Sequence, residues 1–122
     1  MKKTVFIAGP LPQAGALYTA LTSHHLYVVV LGNIEDMEEQ VSERLFPHLT
    51  ILWVTGNRDK DIPFITQVEL YPEDRKKKII LISPSSLKYV KHRLFYKPYS
   101  RVSFIQPIDV AEVAQTALEM LH

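Results

Sequence analysis

The sequence predicts an α/β fold: a three-layer α/β/α sandwich on a five-stranded parallel sheet, with residues 1–122 as one domain. Three observations lead there. Short apolar runs stopped by Gly, Pro, Asn or Ser alternate along the chain with segments of helical periodicity. The runs are continuously apolar rather than alternating, which means burial on both faces and hence parallel strands with right-handed helical crossovers. Finally, 122 residues with 47% hydrophobic and 22% charged content suit one ordinary core.

The elements follow in order. Thr4–Ala8 is a β-branched and aromatic run closed by Gly9-Pro10. Ala14–Thr22 carries Ala14, Leu17, Tyr18 and Leu21 at the i, i+3, i+4, i+7 spacing of a helix. Leu26–Leu31 is a second strand, stopped by Gly32-Asn33. Glu35–Phe46 reads as an acidic helix with Met37, Val41, Leu45 and Phe46 inward, ended by Pro47. Leu49–Val54 is the third strand, closed by Thr55-Gly56-Asn57. A helix over Pro63–Tyr71 places Pro63 in a first turn, against the β-branched character of Ile65, Thr66 and Val68. Lys78–Ile82 is the fourth strand. Ser85 or Ser86 would cap a helix over Leu87–Tyr96. Val102–Ile105 is the fifth strand. Asp109 caps a last helix in capping-box spacing with Glu112; Val110, Val113, Ala114, Ala117, Leu118 and Leu121 form its buried stripe.

Charge excludes some functions. The net charge of +1 gives no bulk field toward nucleic acid or membrane. It is unevenly spread: residues 1–74 hold five Lys/Arg and ten Asp/Glu, whereas residues 75–122 hold nine and three, with no acid within 75–101. One basic face for an acidic partner is the expectation. Without cysteine there is no disulfide or thiolate metal site, which suits a reducing cytoplasm. No run approaches the roughly 18–20 apolar residues of a membrane helix, and Val5–Ala8 is too short for a signal-peptide core.

Ser83 closes the fourth strand, and Gln106-Pro107 closes the fifth, running into Ile108-Asp109-Val110-Ala111-Glu112-Val113. With five strands and five helices, this arrangement resembles the receiver domain of two-component response regulators, a flavodoxin-like fold, over essentially the whole chain. The family places Ser or Thr at the first position and Lys-Pro at the second. The resemblance makes Ser83, Phe104, Gln106 and Pro107 switch-like positions. It also implies two acids after strand one and an aspartate after strand three that hold magnesium, the aspartate being phosphorylated. Here Ala8-Gly9-Pro10 and Trp53-Val54-Thr55 occupy those places, and Asp59 and Asp61 lie beyond, in what reads as a loop. The expectation is a receiver-like domain without aspartyl phosphorylation, with no catalytic residue, metal or cofactor. It would act through a protein partner or as a homodimer, and would be the N-terminal part of a longer regulator.

Lys3–Leu11, with Ala8-Gly9-Pro10, also resembles the opening of nucleoside 2-deoxyribosyltransferases, where such a segment lines a nucleoside pocket. That alternative makes Ala8, Gly9, Pro10 and Gly15 a ligand turn, with backbone close to the ligand. It requires a nucleophilic glutamate over the pocket; Glu69 and the glutamates of 35–43 are the ones at hand. Gly9 and Gly15 fit neither G-x-G-x-x-G nor a P-loop. His24, His25, His48, His92 and His122 are scattered without carboxylates at metal spacing. The basic, aromatic segment 88–101 is the candidate interaction surface, carried by Lys88, Lys91, Arg93, Tyr96, Tyr99 and Arg101. In receivers this region is the usual partner and dimer face.

Overall fold

Five strands form one parallel sheet in the order β2-β1-β3-β4-β5: β1 (Thr4–Ala8), β2 (Tyr27–Leu31), β3 (Leu49–Trp53), β4 (Lys78–Ser83) and β5 (Ser100–Ile105). This is the flavodoxin-like order. The computed structural model describes residues 2–94 and 100–122, the side chain of Ser100 apart. Helices α1 (Gly15–Thr22) and α6 (Val110–Met120) pack on one face of the sheet; α2 (Ile34–Ser42), α3 (Arg58–Glu69) and α5 (Lys88–Leu94) cover the other. A short sixth helix, α4 (Glu73–Lys76), precedes β4 and was not expected.

The continuous apolar strands are buried as their composition demands. In β3 every residue is buried, and in β4 all but Lys78. Alternation within each strand divides the core in two. Val5, Ile7, Ile51, Trp53, Ile80 and Ile82 meet α1 and α6, while Phe6, Leu52, Ile79 and Leu81 meet α2, α3 and α5. Register is pinned across the centre by the row Ile7, Ile51, Ile80, Val102, each paired with the next. Single-residue slippage would throw this row to the other face.

Several boundaries move, each for a physical reason. Helix α3 starts at Arg58 rather than Pro63, because the Asn57 side chain accepts the Asp59 N–H at 3.1 Å and opens the helix one turn earlier. Pro63 therefore lies inside the helix. Ile65 and Val68 are helical because they are buried against the sheet, where packing overrides propensity. In α1, Leu17 and Leu21 are buried but Tyr18 is largely exposed. Helix α5 begins at Lys88, past both serines, and β5 begins at Ser100, two residues early. Asp109 caps α6 through the Ala111 N–H at 3.0 Å, not through the Glu112 N–H that a capping box would use.

Helix α2 ends at Ser42, not Phe46. Arg44 takes the left-handed conformation, φ 60°. The Arg44 N–H donates to the Val41 carbonyl at 3.0 Å, and the Leu45 N–H to the Gln40 carbonyl at 2.9 Å. This is the paired-bond C-terminal stop that usually carries glycine. Leu45 consequently points outward and is half exposed, while Phe46 tilts against Tyr71 with ring centroids 5.5 Å apart. Arginine in that conformation is strained, so Arg44→Gly is expected to raise stability by about 0.5–1 kcal/mol. An unchanged or lowered urea midpoint would contradict this.

His48 joins the strand starts. Its backbone N–H donates to the Thr4 carbonyl at 2.8 Å, and its Nδ1 accepts the Thr4 N–H at 2.9 Å. Partial burial, and the charges of Arg75, Lys3 and Lys78, hold its pKa below the usual imidazole value. The folded state thus favours the neutral ring. Stability from this group is present above the unfolded pKa of about 6.5 and is lost as pH falls through the folded value. Between pH 7 and pH 5 the native chain should lose more melting temperature than His48→Asn; equal losses would dismiss the His48 contribution.

Candidate functional site at the carboxyl edge of the sheet

Strand ends β1, β3, β4 and β5 meet where open α/β sheets bind ligands. The end of β1 brings Ala8, Gly9 and Pro10. Ala8 and Gly9 are buried, and the Gly9 N–H donates to the Leu31 carbonyl at 3.1 Å. Gly9 has φ 155°, and a Cβ built there would stand 2.0 Å from the Trp53 carbonyl oxygen. Gly9 thus lets β1 and the β3 backbone approach closely. Gly15 opens α1 in free space. A Cβ added there would meet nothing within 4 Å, so Gly15 does not share the crowding of that turn.

The end of β3 brings Trp53, Val54 and Thr55. Trp53 is buried on the α1/α6 side and Val54 on the other, and the Val54 N–H donates to the Ile82 carbonyl at 2.9 Å. Asp61 corrects the sequence reading. It lies in the first turns of α3 rather than in a loop, and it is fully buried. Its Oδ1 accepts the Thr55 N–H and the Thr55 hydroxyl, both at 2.9 Å. Its Oδ2 accepts the Gly56 N–H at 3.0 Å and the Tyr89 hydroxyl at 2.6 Å. Four donors therefore satisfy one buried carboxylate. Asp59, in contrast, is exposed.

Tyr89, on α5, is the aromatic that reaches this site, and sequence reasoning did not single it out for this role. Burial raises its phenol pKa, assisted by the hydrogen bond to Asp61 and by that group's charge, while Arg58 opposes the shift. The Arg58 guanidinium lies 5.9 Å from the Tyr89 ring centroid. No local pattern announces such a pairing, because 28 residues separate Tyr89 from Asp61.

The switch-like positions are only partly brought together. Ser83 is buried and donates its hydroxyl to the Ser85 carbonyl at 2.8 Å. Gln106 adjoins it, donating its N–H to the Ser83 carbonyl at 2.9 Å, and the Gln106–Pro107 bond is cis. Gln106 and Pro107 also line a groove of about 620 Å³ with Trp53, Gln13 and Val110. Phe104 is elsewhere. It pairs with Ile82 and packs toward α1 and α6, whereas Ser83 pairs with Ile105 on the opposite face. Strand alternation puts Phe104 and Ser83 on opposite faces of the sheet.

The oxygen donors here do not fit a magnesium ion. Magnesium wants several hard oxygens in octahedral geometry; β1 ends without an acid, and both Asp61 oxygens are taken up internally. Among the described residues, no three His, Asp or Glu side chains are grouped to hold a metal ion. Of the glutamates the enzyme alternative requires, Glu69 makes a bidentate ion pair with Arg93, linking α3 to α5. Glu35 instead shares a cleft of about 340 Å³ with Pro10, Asn33, Asp59 and Lys60.

Two arginines of the basic segment have partners within the fold. Arg93 is committed to Glu69 and to the Thr66 hydroxyl, at 3.1 Å. Arg101 donates to the Leu94 carbonyl at 2.8 Å and the Lys77 carbonyl at 2.7 Å. Both tie elements of the fold together while staying partly exposed. Lys88 and Lys91 are exposed on α5. Tyr96 and Tyr99 lie outside the described residues.

No protein-family model matches the chain, and no curated protein matches it. Solved structures do. A chain from Chloroflexus aurantiacus J-10-fl, provisionally named a response regulator, is similar at a TM-score of 0.69 and 15% identity, over 99% of this chain and 98% of that one. A response regulator from Thermotoga maritima is similar at a TM-score of 0.65 and 10% identity, over the same shares. These likenesses establish the fold: a receiver-like, flavodoxin-like domain. No helix among the described residues is long and apolar enough to cross a membrane.

Proposed function

We propose that this chain is a receiver-like signalling domain that works without aspartyl phosphorylation, as a protein-interaction or dimerisation module. One observation carries the reading. The acid that bonds the turn after β3, Asp61, is buried with both oxygens engaged by Thr55, Gly56 and Tyr89. A nucleophilic aspartate must instead present a free oxygen beside a metal-bound phosphoryl group. Gln106, an amide where the family carries lysine, suits a site with no phosphate charge to read. The exposed Lys88 and Lys91 of α5 remain as the contact cations.

Incubation with acetyl phosphate and magnesium, followed by phosphate-affinity electrophoresis, is expected to give a single unshifted band. A shifted band abolished by Asp59→Ala or Asp61→Ala ends the proposal. For the interaction role, sedimentation should reveal self-association that Lys88→Glu with Lys91→Glu weakens. A strictly monomeric chain that also captures no acidic protein partner would remove that half.

The cleft holding Glu35 beside Pro10 favours a second reading, a nucleoside-binding enzyme. Its test is thermal stabilisation by nucleosides, since a ligand bound only to the folded state raises the melting temperature. Unchanged melting with every nucleoside at millimolar concentration would eliminate it.

A further inference from the structure

At the opposite, amino-terminal edge of the sheet lies a pocket of about 650 Å³, formed where β1 and β2 start and α2 stops. That is within the range of roughly 300–1,000 Å³ typical of small-molecule sites. One part of its wall is apolar and aromatic, with Tyr27 and Leu45, both well exposed, and the partly buried Phe46; the rest is polar. Tyr27 and Leu45 are among the large apolar side chains left open to solvent, and both border this one cavity.

The polar part is cationic in balance: Arg44 and Arg75 line it against one acid, the exposed Asp74. The Arg44 guanidinium lies 6.0 Å from the Phe46 ring centroid. Arg75 is more informative. Its Nη1 is shielded from solvent, yet it has no hydrogen-bond partner among the described residues. Its Nε faces the exposed Asp74 carboxylate only at 3.7 Å, a loose surface pair. The Arg75 side chain as a whole is partly exposed, so its guanidinium is within reach of a bound anion, and a guanidinium N–H left without an acceptor is costly. The surroundings reinforce the sign. Lys3 and Lys78 stand at the same edge, and with Arg75 they act on His48. Arg44, moreover, occupies a left-handed position that glycine would fill without strain.

We propose that this pocket binds a small aromatic oxyanion, its charged group on the Arg75 fork with Arg44 beside it, and its ring against Phe46, Tyr27 and Leu45. Guanidinium matches the planar, bidentate geometry of a carboxylate or phosphate better than ammonium does, and it stacks on rings as well. The site is at the far end of the strands from Asp61 and Gln106, and it is independent of how that edge is read.

The test is calorimetric titration with phenyl phosphate, benzoate, inorganic phosphate and benzyl alcohol, with amide chemical shifts followed by NMR. Phenyl phosphate or benzoate is expected to bind saturably, shifting the amides of Tyr27, Arg44–Phe46 and Arg75. The tighter of the two identifies the oxyanion as phosphate or carboxylate. Inorganic phosphate and benzyl alcohol should bind at least tenfold more weakly. Arg75→Gln should weaken the aromatic anion tenfold or more at an unchanged melting temperature; the exposed Arg44→Gln serves equally if Arg75→Gln unfolds. Lack of saturation, equal binding by either control compound, shifts confined to other regions, or affinity retained in both variants would each overturn the proposal.

Discussion

Asp61→Ala is expected to lower the melting temperature by roughly 10–15 °C, from a loss of about 3–5 kcal/mol. The reason lies in what the carboxylate satisfies. Without it, the Thr55 and Gly56 N–H groups and the Tyr89 hydroxyl lose their acceptor together, at a position shielded from water. The turn from β3 into α3 and the anchorage of α5 would loosen in one step. Tyr89→Phe removes one donor and leaves the carboxylate three, so it should cost only about 1 kcal/mol. Asp59→Ala, on an exposed side chain, should change stability little. Thermal and urea melts of the three variants decide the matter. If Asp61→Ala melts with the native chain, Asp61 is not a structural staple, and its oxygens are available for other chemistry.

Gly9→Ala should destabilise by about 3 kcal/mol or more, combining overpacking with an unfavourable backbone conformation. The added methyl would meet the Trp53 carbonyl oxygen at 2.0 Å, and its carbon and Cβ at 2.9 and 3.0 Å. Neither group can retreat easily. Strands β1 and β3 are hydrogen-bonded neighbours at the sheet centre, and Trp53 is packed beneath α1 and α6. Gly15→Ala is the matched control: its Cβ meets nothing within 4 Å, and alanine favours the helix by up to about 1 kcal/mol. A drop in urea midpoint for Gly9→Ala, beside an unchanged or raised one for Gly15→Ala, is the expected pattern. Tolerance of alanine at Gly9 would show that β1 and β3 part there readily, restoring the turn as a ligand-accessible feature.

Both residues show how far the sequence could be read. The strands announced themselves because runs such as Leu49–Trp53 are apolar on both faces, which only a covered parallel sheet accommodates. The final helix was legible through its stripe, and Val113, Ala114 and Ala117 are buried as that spacing requires. Placing Pro63 in a first turn concealed the true start of α3 at Arg58, and with it the position of Asp61. The stop of α2 was concealed too, because arginine stands where the left-handed cap ordinarily announces itself as glycine.

The basic segment illustrates the same limit. Composition showed that Arg93 and Arg101 were available for contacts, but not that Glu69, Thr66 and two backbone carbonyls would take them. Likewise, the order of residues placed Phe104 near Gln106, while the pleat sent its ring to the face away from Ser83.

What the sequence determined alone was the α/β layering, the parallel sense of the sheet and the lack of acids at the end of β1, since these depend on periodicity and residue type within a few positions. The tertiary structure decided which polar groups were already partnered: Asp61 by Tyr89, Arg93 by Glu69, and Arg75 by nothing among the described residues at its Nη1. A hydrogen bond is a matter of a few tenths of an ångström between atoms that are often dozens of residues apart, and only the folded chain fixes such distances.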